Sequence, residues 1–105
     1  MGRVTNNFWD NKRKTEYINS VSFPEKLPIS KSIKDIKKTI LENQVIVCTG
    51  ETGSGKSTQL PKIAISLGYG FNKKILITQP RRVAAKAISE KISTELEKGE
   101  LFVGF

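Results

Sequence analysis

Eight consecutive residues carry the clearest chemistry in this sequence. Positions 50–57 read Gly-Glu-Thr-Gly-Ser-Gly-Lys-Ser and match the pattern Gly-x-x-x-x-Gly-Lys-Ser/Thr. Three glycines let backbone N–H groups converge on phosphate oxygens, because glycine accepts unusual backbone angles and has no side chain to block the approach. Lys56 is placed to reach the β- and γ-phosphates, and the hydroxyl of Ser57 is placed to coordinate Mg²⁺. The pattern therefore predicts a phosphate-binding loop for a nucleoside triphosphate.

This loop predicts both binding and catalytic residues. Lys56 and Ser57 are the expected catalytic residues, and Ser57 is also the expected Mg²⁺ ligand. The expected cofactor is ATP or another nucleoside triphosphate, bound by Gly50, Glu51, Thr52, Gly53, Ser54, Gly55, Lys56 and Ser57. A glycine-rich turn with no ligand is the alternative reading of the same residues.

A second segment with binding chemistry lies at residues 78–85, which read Thr-Gln-Pro-Arg-Arg-Val-Ala-Ala. It follows an apolar run and opens a predicted helix. Thr78, Arg81 and Arg82 would form a cradle for the sugar–phosphate backbone of a nucleic acid, because cationic side chains and a helix N-terminus both attract phosphate. Two arginines in contact only with solvent are the alternative.

The apolar pattern predicts the elements that hold these two segments. Largely apolar runs at 45–49 and 75–78 predict buried parallel strands, and apolar residues at three- and four-residue spacing predict helices over 30–43, 56–67 and 83–98. Gly68 and Gly99 are expected to end the last two helices. This order predicts an α/β fold, a parallel sheet with flanking helices, incomplete in this chain. Both binding segments are then expected at one edge of the sheet.

Composition favours an anionic partner. The 105 residues carry a formal net charge of +8, and the excess is even: nine Lys/Arg against five Asp/Glu in 1–44, and the same counts in 45–105. Nucleic acid is the expected partner, with simple solubility as the alternative. No apolar stretch reaches the length of a membrane span, so no membrane partner is expected. The single cysteine, Cys48, suits a reducing compartment and predicts a cytoplasmic location.

Taken together, residues 50–62 and 78–85 resemble motifs I and Ia of the DEAH-box RNA helicases. Residues 23–30, Phe-Pro-Glu-Lys-Leu-Pro-Ile-Ser, look like that family's lead-in to its first RecA-like domain. The chain is most similar to the bacterial HrpA-type members, from about residue 22 to residue 105. The resemblance implies a P-loop NTPase with a RecA-like parallel sheet. It implies a lead-in over 1–28 and the N-terminal part of a RecA-like ATP-binding domain over 29–105.

The resemblance also implies an ATP-driven motor that unwinds or remodels RNA, with DNA left open as a second polymer. In that family the nucleotide and Mg²⁺ are bound by the residues that match Gly53, Gly55, Lys56, Ser57 and Thr58. Arg81 and Arg82 match residues at the nucleic-acid face. Lys91 matches a position, commonly arginine, that often lies against the adenine. Lysine lacks the planar guanidinium that stacks on a ring, so the resemblance is weaker at this position.

The sequence also departs from a complete helicase. It contains no histidine, so the family's Asp-Glu-Ala-His motif cannot be present, and it has no second RecA-like lobe. We therefore expect a fragment that does not hydrolyse ATP efficiently alone and whose partners are RNA and the remaining RecA-like domains. Two other classes stay open. A non-helicase P-loop NTPase is disfavoured by residues 78–85, and a non-catalytic nucleic-acid-binding remnant would bind RNA but no nucleotide.

Overall fold

The computed structural model describes residues 9–49 and 55–104. Within these ranges the chain forms helices joined by turns and irregular segments. In chain order they are α1 (Asn11–Ser20), a 3-10 helix (Pro28–Ser32), α2 (Ile33–Glu42), α3 (Lys56–Ser66), α4 (Arg82–Glu95) and α5 (Gly99–Phe102). None of these helices has both the length and the apolar character that crossing a membrane requires.

The predicted α/β fold with a parallel RecA-like sheet is wrong for the described residues, which contain no strand. Residues 45–49 and 75–78, the two predicted strands, are irregular. Val45, Val47 and Leu76 are 81%, 86% and 86% exposed. The prediction that these apolar side chains are buried is therefore wrong. A parallel sheet is stable only with several strands and cover on both faces. Two short apolar segments do not meet that requirement.

The core lies where α3 meets α4 and the 3-10 helix. Its buried apolar side chains are Ile29, Ile63, Ile92 and Leu96. The predicted helix over 30–43 is present in two parts, a 3-10 turn that buries Ile29 and then α2. Helix α2 buries less, since Ile33, Ile36 and Ile40 are all only half-buried. The spacing therefore predicted the apolar face correctly, but that face is only partly covered.

The end of α3 confirms its sequence signal. Gly68 has φ +99°, in the left-handed region. Its N–H donates to the Ile65 carbonyl at 2.9 Å, and the Tyr69 N–H donates to the Ala64 carbonyl at 3.1 Å. These two bonds make a Schellman motif, which satisfies carbonyls that a helix end otherwise leaves unpaired.

Helix α4 ends earlier than the sequence predicted. It stops at Glu95, Leu96 leaves the helix with extended backbone angles, and Gly99 begins α5 instead of capping α4. Leu96 is buried, and Lys98 takes φ +52°, which turns the chain back. The turn brings Gly99 against the backbone of Ser93, where a Cβ atom would lie 2.1 Å from the Ser93 oxygen. Close backbone contact, and not helix capping, is the reason for this glycine.

Helix α1, within the predicted lead-in, packs on the rest of the chain. Asp10 caps it by accepting a hydrogen bond from the Arg13 N–H at 2.8 Å. The Trp9 ring lies 4.8 Å from that of Phe71 and 5.2 Å from that of Phe102, measured between centroids. The Tyr17 hydroxyl donates to the Glu97 carbonyl at 2.9 Å. We call Trp9, Tyr17, Phe71 and Phe102 the aromatic cluster. It attaches the N-terminal end of α1 to residues 71 and 102.

Candidate functional site

The start of α3 is held in place by the segment before α2. Gly55 precedes the helix with φ +96°, a conformation that side-chain-bearing residues rarely adopt. A Cβ atom at Gly55 would lie 2.9 Å from Leu27 and 3.1 Å from Ile29. The lead-in therefore packs directly against the last glycine of the predicted phosphate-binding loop. A larger residue here would have a strained backbone angle, and Leu27 would have to shift to make room for it.

The first turn of α3 carries three of the predicted site residues. Lys56 and Thr58 are half-buried and Ser57 is exposed. Thr58 donates its hydroxyl to the Gly55 carbonyl at 3.3 Å. The N–H groups of a first helical turn have no partner within the helix and point toward its N-terminal end, where anions bind. The other predicted loop residues, Gly50, Glu51, Thr52, Gly53 and Ser54, lie outside the described residues.

The donor set fits a Mg²⁺ ion that arrives with a nucleotide. Ser57 offers one exposed hydroxyl oxygen, a hard ligand of the kind that Mg²⁺ prefers. Among residues 9–49 and 55–104 there is no group of three or more His, Cys, Asp or Glu side chains that could hold a metal by itself. Since Mg²⁺ commonly takes one or two protein ligands together with waters and phosphates, Ser57 fits a shared site and not a separate metal cage.

Next to this turn lies a polar cluster that was not predicted from the sequence. It consists of Gln59, Lys62 and Glu95, and we call it the buried network. Gln59 is 0% exposed and Lys62 is 1% exposed. The Lys62 ammonium is 2.7 Å from Glu95 Oε1 and 3.0 Å from Gln59 Oε1. The Gln59 amide nitrogen donates to Glu95 Oε1 and to Thr58 Oγ1, both at 3.0 Å. The network therefore joins the first turn of α3 to the last turn of α4.

A further contact completes the surroundings of the Lys62 charge. Its ammonium lies 5.3 Å from the centre of the Phe23 ring, a cation–π distance. Phe23 belongs to the predicted lead-in, so this segment contacts both the start of α3 and the buried network.

The buried network shifts the acidity of Glu95. Partial burial raises the pKa of Glu95, but hydrogen bonds from Lys62 and Gln59 and the positive charges of Lys62 and Lys91 act in the other direction. Their combined effect is larger, and the pKa lies below its ordinary value. Glu95 is therefore a carboxylate in the folded protein at neutral pH.

Lys91 lies beside the same network. Its ammonium is 3.7 Å from Glu95 Oε2, one helical turn away, and its side chain is 62% exposed. Through Glu95 and Gln59, Lys91 is connected to Thr58 at the start of α3. Thr58 and Lys91, two of the positions that the resemblance implied in nucleotide binding, are thus connected across α3 and α4.

The predicted nucleic-acid residues lie elsewhere. Thr78, Arg81 and Arg82 are all exposed, and Arg82 is the first residue of α4. Glu95, which contacts the start of α3, is the last residue of the same helix, so the two ends are about 20 Å apart at 1.5 Å per residue. The expectation that both segments share one sheet edge is not met, because residues 9–49 and 55–104 contain no sheet to align them.

A signal for the buried network was present in the sequence. Gln59 lies four residues before Ile63 and three before Lys62, so helical spacing places Gln59 on the apolar side of α3 and Lys62 next to it. Glu95 likewise lies between the buried Ile92 and Leu96. A pairing of opposite charges on two facing helices can be suspected from such positions, but the sequence does not tell which residues of the two helices meet.

Three known proteins similar to this chain are all named as ATP-dependent RNA helicases. No family model matches the chain. The ATP-dependent RNA helicase HrpA homolog of Haemophilus influenzae is 51% identical over 86 residues, 82% of this chain. ATP-dependent RNA helicase HrpA of Escherichia coli is 47% identical over 77 residues, 73% of the chain. The probable ATP-dependent RNA helicase kurz of Drosophila melanogaster is 42% identical over 80 residues, 76% of the chain. The chain spans about 6–7% of the length of these relatives.

Proposed function

Because this chain belongs by sequence to the HrpA-type ATP-dependent RNA helicases, we propose that it carries nucleotide- and RNA-binding segments of such a motor. The predicted membership of the HrpA-type RNA helicases is confirmed. The proposed activity of the whole protein is the coupling of nucleoside triphosphate hydrolysis to RNA unwinding or remodelling. It is a proposal for the whole protein, since the chain spans a small part of its relatives' length.

One observation carries the nucleotide part of this proposal. Gly55 has the left-handed backbone that a phosphate-binding loop needs, and α3 begins directly after it with Lys56 and Ser57 in its first turn. In the proposed site, Lys56 would hold the β- and γ-phosphates and Ser57 would hold Mg²⁺. The ion would supply positive charge that neutralises the phosphates. Thr58 and Lys91 complete the proposed nucleotide-binding set.

The nucleotide proposal is tested by replacing Lys56. A titration of the chain with fluorescent N-methylanthraniloyl-ATP and Mg²⁺ measures binding. We expect Lys56→Ala to weaken binding at least about tenfold, since a charge-assisted hydrogen bond to phosphate contributes on the order of 1.5–3 kcal/mol. Lys38→Ala on α2 is the matched control, because Lys38 is exposed and its loss changes the net charge equally. If both variants bind the ATP analogue equally weakly, the loss of positive charge alone explains the effect. That outcome would contradict the proposed site.

The RNA part of the proposal rests on the start of α4. Thr78, Arg81 and Arg82 are exposed there, and two adjacent guanidinium groups match the geometry of phosphate oxygens. We propose that these residues bind the RNA backbone without reading base sequence.

We further propose the division of the chain and its location. Residues 1–28 form the lead-in and residues 29–105 the front of the nucleotide-binding region; the remaining domains of the helicase are its partners. A cytoplasmic location agrees with the single cysteine, Cys48.

A further inference from the structure

We infer that Glu95 is a positioning residue of the proposed nucleotide site, acting on the phosphate-binding turn through Gln59 and on Lys91 directly. The inference rests on the proposed nucleotide binding and adds to it a set of residues outside the phosphate-binding motif. Glu95 touches none of the proposed ligands. It acts by contacting Lys91 directly and by reaching Thr58 through Gln59.

The burial of Lys62 is the first step of the argument. An ammonium group that is 1% exposed is costly to bury, and a well-packed apolar pair at the same place would be as stable or more stable. The three contacts of Lys62, to Glu95, Gln59 and the Phe23 ring, keep the charge in one position. Since replacing such an ion pair by apolar residues is often neutral or stabilising, we assign this pair the role of fixing geometry.

The second step is the direction of the hydrogen bonds. Glu95 Oε1 accepts from Gln59, whose amide nitrogen also donates to Thr58 Oγ1; Thr58 in turn donates to the Gly55 carbonyl. This path ends at the left-handed glycine and the first turn of α3. A shift of Glu95 is therefore transmitted to the N–H groups proposed to bind phosphate.

The third step concerns the other carboxylate oxygen. Glu95 Oε2 lies 3.7 Å from the Lys91 ammonium, on the exposed side of α4. One carboxylate thus sets both the first turn of α3 and the side chain at 91. Because both oxygens are engaged, the loss of the carboxylate charge or shape affects both arms of the site together.

Two variants separate positioning from stability. Glu95→Gln keeps the shape but leaves the Lys62 charge without its counterion. The double variant Lys62→Met with Glu95→Leu removes the ion pair without leaving a buried charge, so it is expected to stay folded. Glu90→Gln is the matched control, because Glu90 is an exposed glutamate of the same helix. Circular dichroism melts establish that each variant is folded at the temperature used for binding.

Two probes separate the arms of the site. The full 105-residue chain is titrated with N-methylanthraniloyl-ATP and, by competition, with inorganic tripolyphosphate, each with Mg²⁺. We expect the folded double variant to bind both probes about tenfold more weakly than the wild-type chain. A tenfold change corresponds to the loss of about one hydrogen bond between the protein and the phosphates. Glu90→Gln is expected to bind like the wild type.

The outcomes distinguish this inference from the proposed function. Binding of both probes by the wild type, with unchanged binding by the folded double variant, would overturn the inference and leave the proposed function standing. Weakened binding of the ATP analogue alone would also overturn it, because the path through Gln59 to the phosphates would have no effect. A wild-type chain that binds neither probe would overturn the proposed function, and the inference with it.

Discussion

At the scale of single residues, the chemistry of this chain depends on which side chains are covered. The loop motif and its lysine could be recognised from residue types and spacing alone, and Gly55 has the left-handed backbone that the motif requires. The buried network could not be recognised in this way. Gln59, Lys62 and Glu95 are ordinary surface residue types, and only the packing of α3 on α4 makes them a unit.

Glu95 gives the folded chain a dependence on acid. Its pKa is lowered in the folded state, so its ionised form stabilises the fold above the unfolded pKa, about 4.5. As the pH falls below that value and through the lower folded value, the carboxylate takes up a proton and this stabilisation is lost. We expect the free energy of unfolding, measured in urea between pH 7 and pH 3, to decrease in this window.

The contribution of Glu95 is isolated by comparing two variants. The acid-dependent decrease should be smaller in Glu95→Gln, which has no proton to take up, than in the Glu90→Gln control. Parallel pH profiles for the two variants would show that other carboxyl groups cause the acid sensitivity.

At the scale of secondary structure, the sequence predicted helices better than their ends. Helices α2, α3 and α4 lie where apolar spacing indicated, and Gly68 ends α3 as expected. Gly99 did not cap α4, because local capping signals do not reveal that a buried Leu96 turns the chain back. The glycine is required by a contact six residues away in sequence, and no local rule reports such a contact.

This close contact predicts a sensitive position. In Gly99→Ala the new Cβ would lie 2.1 Å from the Ser93 oxygen, and since that is a backbone atom, the chain itself must move. We expect a loss of about 1–3 kcal/mol of stability, typical of overpacking, seen as a lower melting temperature by circular dichroism. Gly104→Ala is the control, because among the described residues no atom other than those of its chain neighbours lies within 4 Å of the corresponding Cβ position. Similar melting temperatures for the two variants would contradict the described turn between α4 and α5.

At the scale of the whole molecule, the family was readable from the sequence but the architecture was not. Short motifs identify the family of a chain even when they make up a small part of a domain. A sheet requires partners for every strand, and the apolar runs at 45–49 and 75–78 have none among the described residues. The rule that relates apolar runs to buried strands assumes a complete sheet, and that assumption failed here.

The even spread of positive charge also acts at this scale. A net charge of +8 shared by both halves of the chain attracts any polyanion without a specific site. The proposed contacts at Arg81 and Arg82 must therefore be measured above this background. In Arg81→Ala with Arg82→Ala, we expect the negative slope of log K against log salt to become shallower by about 1.4 for single-stranded RNA, the value for two phosphate contacts.

The matched control for this measurement is Lys31→Ala with Lys34→Ala, which removes the same charge from exposed positions near α2. Fluorescence anisotropy of a labelled oligouridine gives both slopes. If the control variant makes the slope as much shallower as the arginine variant does, net charge accounts for the binding. The proposed RNA contacts at the start of α4 would then be contradicted.

The aromatic cluster has a consequence for observing this molecule in solution. Trp9 is the only tryptophan in the chain, and it lies between α1 and the rings of Phe71 and Phe102. Its ultraviolet emission therefore originates at one known place, the seam where the first helix meets the second half of the chain. Release of α1 would transfer the indole to water and shift that emission to the red, while helix content changed little. The chain thus carries an intrinsic optical probe of its own N-terminal docking.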